Sequence, residues 1–383
     1  MGAVIFNIHD MVLVMTALLC CLFALMVVVS HKFKRASAYL LAGFLIAHAL
    51  IAIHELILFG GQFRWIVLDI SPNLFFIGSF AYCLDGPLLY LYVVSLLYSD
   101  FRFRKQYLWH LLPVVLYSIY MLAAYYLQSD PFKGYAIRWF RFDMIWQYLQ
   151  IDTLVKASRF VYLILCLFLI REYRDRLKET RSDIEAIDLS WLKLLVVGFL
   201  TVIFVDLLLS GTKLVTPELK VLVLIGLSSY YAVFILVNLL LFFSAVNISS
   251  LERIKQNPQR QKNGSQDTVD PEYIERIRCF MRDSKPYLMT NITFDALSEQ
   301  LDIPSRELSA TLNGHFKMNF YEFINNYRIE EAKELLTAQA HQVKTITDIF
   351  TEVGFNSKSV FNTCFKKSVG VTPSEYRRSY STD

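Results

Sequence analysis

Eight ionisable side chains stand inside runs that are otherwise apolar: His48, His54, Glu55, Asp85, Asp152, Lys156, Arg159 and Asp206. A charge in hydrocarbon costs at least a few kcal/mol on insertion scales, so such groups pair with one another or line a polar space. Asp152 and Lys156 are four apart and share one helix face, a spacing that suits an ion pair. Two readings of the set stand side by side. In one, the charges are interhelical pairs that fix packing. In the other, His54, Glu55, Asp85, Lys156, Arg159 and Asp206 form a polar pocket that takes a small-molecule or peptide signal. A retinal-type photoreceptor is disfavoured, because the last apolar run has no lysine in its interior.

Other chemistry is poorly represented. The six cysteines (Cys20, Cys21, Cys83, Cys166, Cys279, Cys364) show neither CxxC nor paired spacing, so neither a disulfide framework nor a zinc site is expected. There is no P-loop, HExxH, GxSxG context or kinase-like motif set, so the chain does not read as an enzyme. No metal and no cofactor is implied.

The elements that hold these groups follow from composition. Of 383 residues 55% are apolar and 19% charged, with a mean hydropathy of +0.39; soluble domains run about 45–50% apolar and about 25% charged. The excess ends near residue 250. A bilayer core about 30 Å thick needs roughly 20 apolar helical residues, and seven stretches qualify: 11–30, 37–59, 73–98, 107–128, 147–170, 191–210 and 219–246. Residues 1–250 therefore read as a polytopic helical membrane domain. Asp10 before the first span and Lys32, Lys34 and Arg35 after it argue against a signal peptide. Asp85 precedes Gly86-Pro87, where a kink is expected.

Alternate loops differ in basic residues. One set holds Lys32, Lys34, Arg35, Arg102, Arg104, Lys105, Arg171, Arg174, Arg176, Lys178, Arg181, Arg253 and Lys255; the other holds Arg64, Lys133, Arg138, Arg141, Lys213 and Lys220. The positive-inside bias makes the first set cytoplasmic, with the N-terminus outside and the C-terminal third inside. His54, Glu55, Lys156 and Asp206 then fall in the outer half, and Asp85 and Arg159 near the middle. The five tryptophans lie at or near span ends, at headgroup depth.

Residues 251–269, rich in polar groups with Pro258, Asn263 and Gly264, read as a linker. Its basic start suits an anionic lipid surface. From Asp270-Pro271 a soluble, all-α domain is expected over 270–383. Asp270 suits an N-cap with proline at the first helical position, and the first helix covers 272–282. Residues 293–303 form a short amphipathic helix with a tight turn, and Pro304-Ser305 opens another over 306–313. A long helix over 321–338 carries a broad apolar face. The short pattern then recurs: a helix over 346–353, a turn at Gly354-Phe355-Asn356, and a helix over 357–367. Gly354 and Gly370 suit left-handed positions, and Thr372-Pro373-Ser374-Glu375 is a capping box that opens a last helix. Two short helices about a tight turn, twice over, are the helix-turn-helix pattern.

The run ITDIFTEVGFNSKSVFNTCFKKSVGVTPSEYRRS (346–379) resembles the signature of AraC/XylS-type transcriptional regulators. LSEQLDIPSRELSATLNGHFKMNFYEFINNYRIEEAKELL (297–336) is similar to that family's first helix-turn-helix and connecting helix. The match covers about the last 110 residues, a domain's length, and does not touch the apolar part. It departs from the family pattern in three places: Asp302 stands at a usual glycine, Phe350 at a usual alanine, and Thr363 at a frequent arginine.

The resemblance implies binding to double-stranded DNA through two recognition helices. Phe361, Cys364 and Phe365 share a face with Phe355 and belong to the core, as do Leu308 and Leu312. The second helix then presents Ser357, Lys358, Ser359, Asn362, Thr363, Lys366 and Lys367: hydroxyls and amide for base edges, lysines for phosphate. The first presents Arg306, Ser309, Ala310 and Asn313, with Ser305 as cap or phosphate contact. Over 270–383 about 14 basic side chains face about 16 acidic ones, so the domain is not basic as a whole. Over 354–380, however, Lys358, Lys366, Lys367, Arg377 and Arg378 oppose only Glu375. The expectation is a regulator in a bacterial inner membrane, in contact with the lipid bilayer, with pairing of two protomers as a route of control. The rival is a transporter or channel with a cytoplasmic helical regulatory module.

Overall fold

The computed structural model describes residues 7–29, 35–98, 101–139, 146–184, 190–215, 220–247, 270–337 and 344–380. The linker expected over 251–269 lies outside them, as do Lys32, Lys34, Arg141, Arg253 and Lys255. The described residues are helical, without a strand, and the chain divides into two units: Met1–Ile170 with Leu189–Gln256, and Arg171–Asp188 with Asn257–Asp383.

The first unit is built from α1 (Ile8–Val29), α2 (Arg35–Phe59), α3 (Phe63–Ile70), α4 (Asp85–Leu97), α5 (Leu112–Met121), α6 (Asp130–Arg138), α7 (Trp146–Lys178), α8 (Ser190–Val215) and α9 (Lys220–Asn247), α7 running on into the second unit. Among the described residues, six segments are long and apolar enough to cross a membrane: Ile8–Val29, Ala36–Phe59, Pro72–Leu97, Lys105–Tyr126, Gln147–Lys178 and Ser190–Thr212. α9 adds a shorter apolar stretch over Ser228–Leu240. Leu18, Leu22 and Leu25 of α1 are exposed, an apolar outer face compatible with a membrane-spanning segment.

The third segment departs from expectation. It is not one helix bent at Gly86-Pro87. Short 3-10 turns occupy Pro72–Leu74 and Ile77–Cys83, with Phe76 at φ 66°, and α4 starts at Asp85. Proline is compatible with the first turn of a helix, where its missing N–H has no partner to lose. The irregularity therefore falls before Pro87 rather than at it. Hydroxyls meet the backbone groups released there: Tyr125 donates to Pro72 O at 2.6 Å, Tyr126 to Phe75 O at 2.9 Å, and Ser79 to Phe76 O. A second correction concerns the basic stretch 171–181, read as a loop. It stays helical through Lys178, because its long straight side chains favour helix. Glu172–Arg176 and Asp175–Lys178 pair along it at 2.6 and 2.7 Å.

The second unit holds α10 (Pro271–Asp283), α11 (Phe294–Leu301), α12 (Ser305–Thr311, continued by a π turn over Leu312–Phe316), α13 (Phe320–Thr337), α14 (Ile346–Glu352), α15 (Lys358–Val369) and α16 (Pro373–Tyr380). α13 is its spine. Phe320, Phe323 and Ile324 join Ile277, Met281, Leu297, Leu301, Leu308 and Leu312 in one core. Ile329, Ala332 and Leu336, further along the same helix, join Ile349, Val353, Phe355, Phe361 and Phe365 in the other. Each core underlies one pair of short helices, so α13 fixes the two pairs relative to each other.

Candidate nucleic-acid interface and buried charge cluster

The first short pair is α11–α12. Thr293 caps α11 by accepting from Ala296 N at 3.2 Å, and Asp302 ends it in the left-handed region at φ 50°. A short polar side chain tolerates that region better than most, so the turn forms without the usual glycine. Ser298 donates to Ile303 O at 2.6 Å and closes the turn. Ser305, expected as cap or phosphate contact, is the first helical residue rather than the cap; its hydroxyl lies 3.2 Å from that of Ser298. Leu308 and Leu312 are buried, while Ser305, Arg306 and Asn313 are exposed and Ser309 is half-buried.

The second pair is α14–α15. Thr345 and Asp348 form a capping box: Asp348 N donates to Thr345 Oγ1 at 3.2 Å, and Thr345 N to Asp348 Oδ2 at 2.8 Å. The turn runs through Gly354 at φ 92°, where an added Cβ would stand 2.8 Å from the carbonyl oxygens of Tyr287 and Leu288. Only glycine fits both that backbone and that approach. Phe355, Phe361 and Phe365 are buried, and Cys364 packs partly buried beside them. Phe350 sits at the edge of this core, its ring 6.3 Å from Phe361, so the larger residue is accommodated there. Lys358, Ser359, Thr363, Lys366 and Lys367 are exposed, and Ser357 and Asn362 half-buried. Thr363 donates to Ser359 O of its own helix at 2.9 Å, and Lys367 reaches Glu322 at 3.4 Å. Gly370 ends α15 at φ 90°, and Thr372 with Glu375 caps α16.

Arg328, absent from the expected set, is the buried polar centre of the domain. Its Nε donates to Tyr287 O at 2.7 Å, Nη1 to Asn325 Oδ1 at 3.2 Å, and Nη2 to Met289 O at 2.9 Å and Thr290 O at 3.3 Å. The guanidinium lies over Phe355, 5.4 Å from the ring centroid. Burial lowers its pKa to about 10, so it stays charged at neutral pH. The signal was present in sequence, since Arg328 lies four residues from both Ile324 and Ala332 on the core face.

In the first unit the six residues of the expected pocket fall into smaller groups. Asp85 and Arg159 form a buried two-point ion pair, Nε to Oδ2 at 2.8 Å and Nη2 to Oδ2 at 2.6 Å, with the guanidinium 5.0 Å from the Tyr82 ring centroid. Lys156 pairs with Asp152 at 2.8 Å, and Asp152 also accepts from Ser210 at 2.7 Å. Asp206 bonds Ser229 and lies within electrostatic reach of Lys156. Glu55 accepts from the Tyr82 hydroxyl and from Tyr230. Its second oxygen, Oε2, is buried without a hydrogen-bond partner, as is Nε2 of His48. His54 is buried with its ring 5.7 Å from Phe76 and 6.2 Å from Tyr82. Tyr82, Tyr230 and Ser210 were not foreseen, since hydroxyls in apolar runs carry no sequence signal of their own.

Residues 297–379 match the family model described as a helix-turn-helix domain. An uncharacterized HTH-type transcriptional regulator of Pseudoalteromonas carrageenovora is 27% identical over 132 residues, 33% of this chain and 76% of that protein. An uncharacterized HTH-type transcriptional regulator of Staphylococcus aureus is 34% identical over 87 residues, 23% of this chain and 11% of that protein. Histidine kinase P4 of Formosa agariphila is 28% identical over 116 residues, 30% of this chain and 8% of that protein. The solved C-terminal domain of AraT, a response regulator from Geobacillus stearothermophilus, is 26% identical and covers 29% of this chain and 88% of that chain, with a TM-score of 0.25. The C-terminal domain is a DNA-binding domain of transcription regulators. More narrowly, it is an AraC-type helix-turn-helix domain.

Proposed function

We propose that the chain is a membrane-bound, one-component transcriptional regulator, whose apolar unit senses a signal and whose C-terminal domain reads a specific DNA site through both helix-turn-helix pairs. The observation that carries this reading is the pair of short helices α12 and α15. Each stands on its own half of the α13 spine, and each turns uncharged polar groups outward beside basic ones. Ser309, Asn313, Ser359, Asn362 and Thr363 have the chemistry for base edges, and Arg306, Lys358, Lys366 and Lys367 for phosphates. Two such helices on one rigid frame suit successive major-groove segments about 34–36 Å apart.

The sensing role rests on the charge cluster. Asp85–Arg159 and Asp152–Lys156 are satisfied pairs that suit packing, whereas Glu55 Oε2 and His48 Nε2 are buried polar atoms still without partners. An unmet polar atom in an apolar unit is costly, and a ligand that supplies the missing bond relieves that cost. The signal thus fits best near α2. The excess of Lys and Arg in alternate loops supports a cytoplasmic C-terminal domain in a bacterial inner membrane.

The test is selection of bound duplexes from a random pool by the full chain in lipid nanodiscs. A shared motif should emerge, and the Lys366→Ala, Lys367→Ala double variant should bind every sequence more weakly with a shallower salt dependence. Absence of any enriched sequence would sink the reading.

A further inference from the structure

The segment 171–184 belongs to the same unit as the DNA-binding domain, although more than 80 residues of chain separate them. Just beyond α7 it lies along the entry to α11. Arg181 and Thr293 form an antiparallel bridge, and Phe294 N donates to Thr180 O at 3.1 Å. Ser182 is buried; it donates to Ile292 O at 2.9 Å and accepts from Arg328 Nη2 at 3.4 Å. Ile184 is buried as well. Two carboxylates of this segment then meet two amides, one from each helix-turn-helix pair. Glu179 accepts from the Asn313 side chain at the end of the first recognition helix. Asp183 accepts from Nδ2 of Asn356, in the turn that leads into the second.

We propose that this segment is a built-in clamp that closes the DNA-reading surface. The idea rests on the DNA-binding reading above. A side-chain amide donates to phosphate oxygens or to base acceptors, and here the amides of Asn313 and Asn356 donate to carboxylates instead. Those carboxylates also put negative charge where a polyanion must approach. Ser182 and Ile184 anchor the segment in buried contacts, whereas the two carboxylate–amide contacts lie at its exposed edge, where a hydrogen bond contributes little net stability, and Glu179 lies within electrostatic reach of the like-charged Glu322. The exposed edge is the part of the clamp that opens at least cost. The segment continues directly from α7, the helix that carries Asp152, Lys156 and Arg159 of the buried charge cluster. A change in that helix therefore has a covalent route to the clamp.

The bridge supplies a direct test. Antiparallel bridged residues have Cα atoms about 4.5–5.5 Å apart, within the range a disulfide spans. The full chain with Arg181→Cys and Thr293→Cys is placed in nanodiscs and oxidised, and its disulfide is mapped by peptide mass spectrometry. The unsubstituted chain under the same oxidant controls for Cys21, Cys279 and Cys364. Loss of the Thr293 cap is common to the oxidised and reduced samples, so their comparison isolates the clamp. The disulfide should form readily. The oxidised protein should bind the duplex selected by the unsubstituted chain at least about tenfold more weakly than the reduced protein, a loss of about 1.4 kcal/mol. Separately, Glu179→Ala with Asp183→Ala should tighten binding several-fold. No disulfide, equal affinity of the two forms, or unchanged affinity of the double alanine variant would overturn the clamp. If the unsubstituted chain selects no duplex at all, the DNA-binding reading fails and takes the clamp with it; selective binding unaffected by the disulfide defeats the clamp alone.

Discussion

Arg328 shows how one side chain ties the DNA-binding domain together. It sits where the two cores meet along α13 and saturates the carbonyls of Tyr287, Met289 and Thr290 while its face covers Phe355. A lysine keeps the charge but offers one compact ammonium in place of a planar fork. Arg328→Lys should therefore leave carbonyls unpaired and a charge poorly satisfied, at a cost of about 2–4 kcal/mol. Hydrogen exchange should rise across 285–292 and 350–356 together, because one residue holds both. Exchange that rises in only one stretch would mean that the two halves are held independently.

Local rules made most elements of this domain legible, and two glycines give a controlled test of one such rule. Gly354 and Gly370 share nearly the same backbone, φ 92° and φ 90°, but an added Cβ meets two carbonyls at the first and open space at the second. Gly370→Ala should cost about 1 kcal/mol for the left-handed strain alone. Gly354→Ala should cost about 3 kcal/mol or more, since strain is joined by collision. Thermal unfolding of the C-terminal domain, read by calorimetry, separates the two. The capping boxes make a prediction of their own. Hydrogen bonds from the Thr345 side chain and backbone hold the Asp348 carboxyl below its ordinary range, and those from the Thr372 backbone and side chain do the same for Glu375. A depressed folded-state pKa means that the stabilisation is present above the unfolded-state value and is lost as pH falls through the folded one. Acidification from about pH 5 to about pH 3 should thus lower the unfolding temperature of this domain. Asp348→Asn with Glu375→Gln should flatten that dependence; an unaltered slope would assign the acid sensitivity elsewhere.

What was not legible has a common physical cause. N-caps, left-handed turns and helix faces depend on neighbours within four residues, so Asp270, Gly354, Gly370 and Thr372 were readable from spacing. The pairing of Asp85 with Arg159 joins residues 74 positions apart, and that of Ser182 with Ile292 joins residues 110 apart. No local pattern selects such partners. The break before α4 was misplaced because Gly-Pro reads as a kink wherever it falls, whereas its effect depends on whether a helix has already begun. The stretch 171–181 reads in sequence as a basic loop, explained by the positive-inside bias and able to transmit a change, whereas its charge pairing keeps it helical through Lys178.

At the scale of the whole molecule, an apolar helical unit and a DNA-binding domain are joined in one polypeptide, with a segment following α7 docked on the second. On the proposed reading, a reader tethered to a membrane would search DNA only from its surface, and partial relief of the proposed clamp would change occupancy without any change in the amount of protein. The most direct measurement is cross-linking of the full chain to DNA in living bacterial cells, followed by sequencing of the DNA recovered with the washed membrane fraction. The account predicts discrete chromosomal sites that share a motif in the membrane-bound material. DNA recovered from that fraction without site preference, or specific sites found only with a soluble fragment, would contradict it.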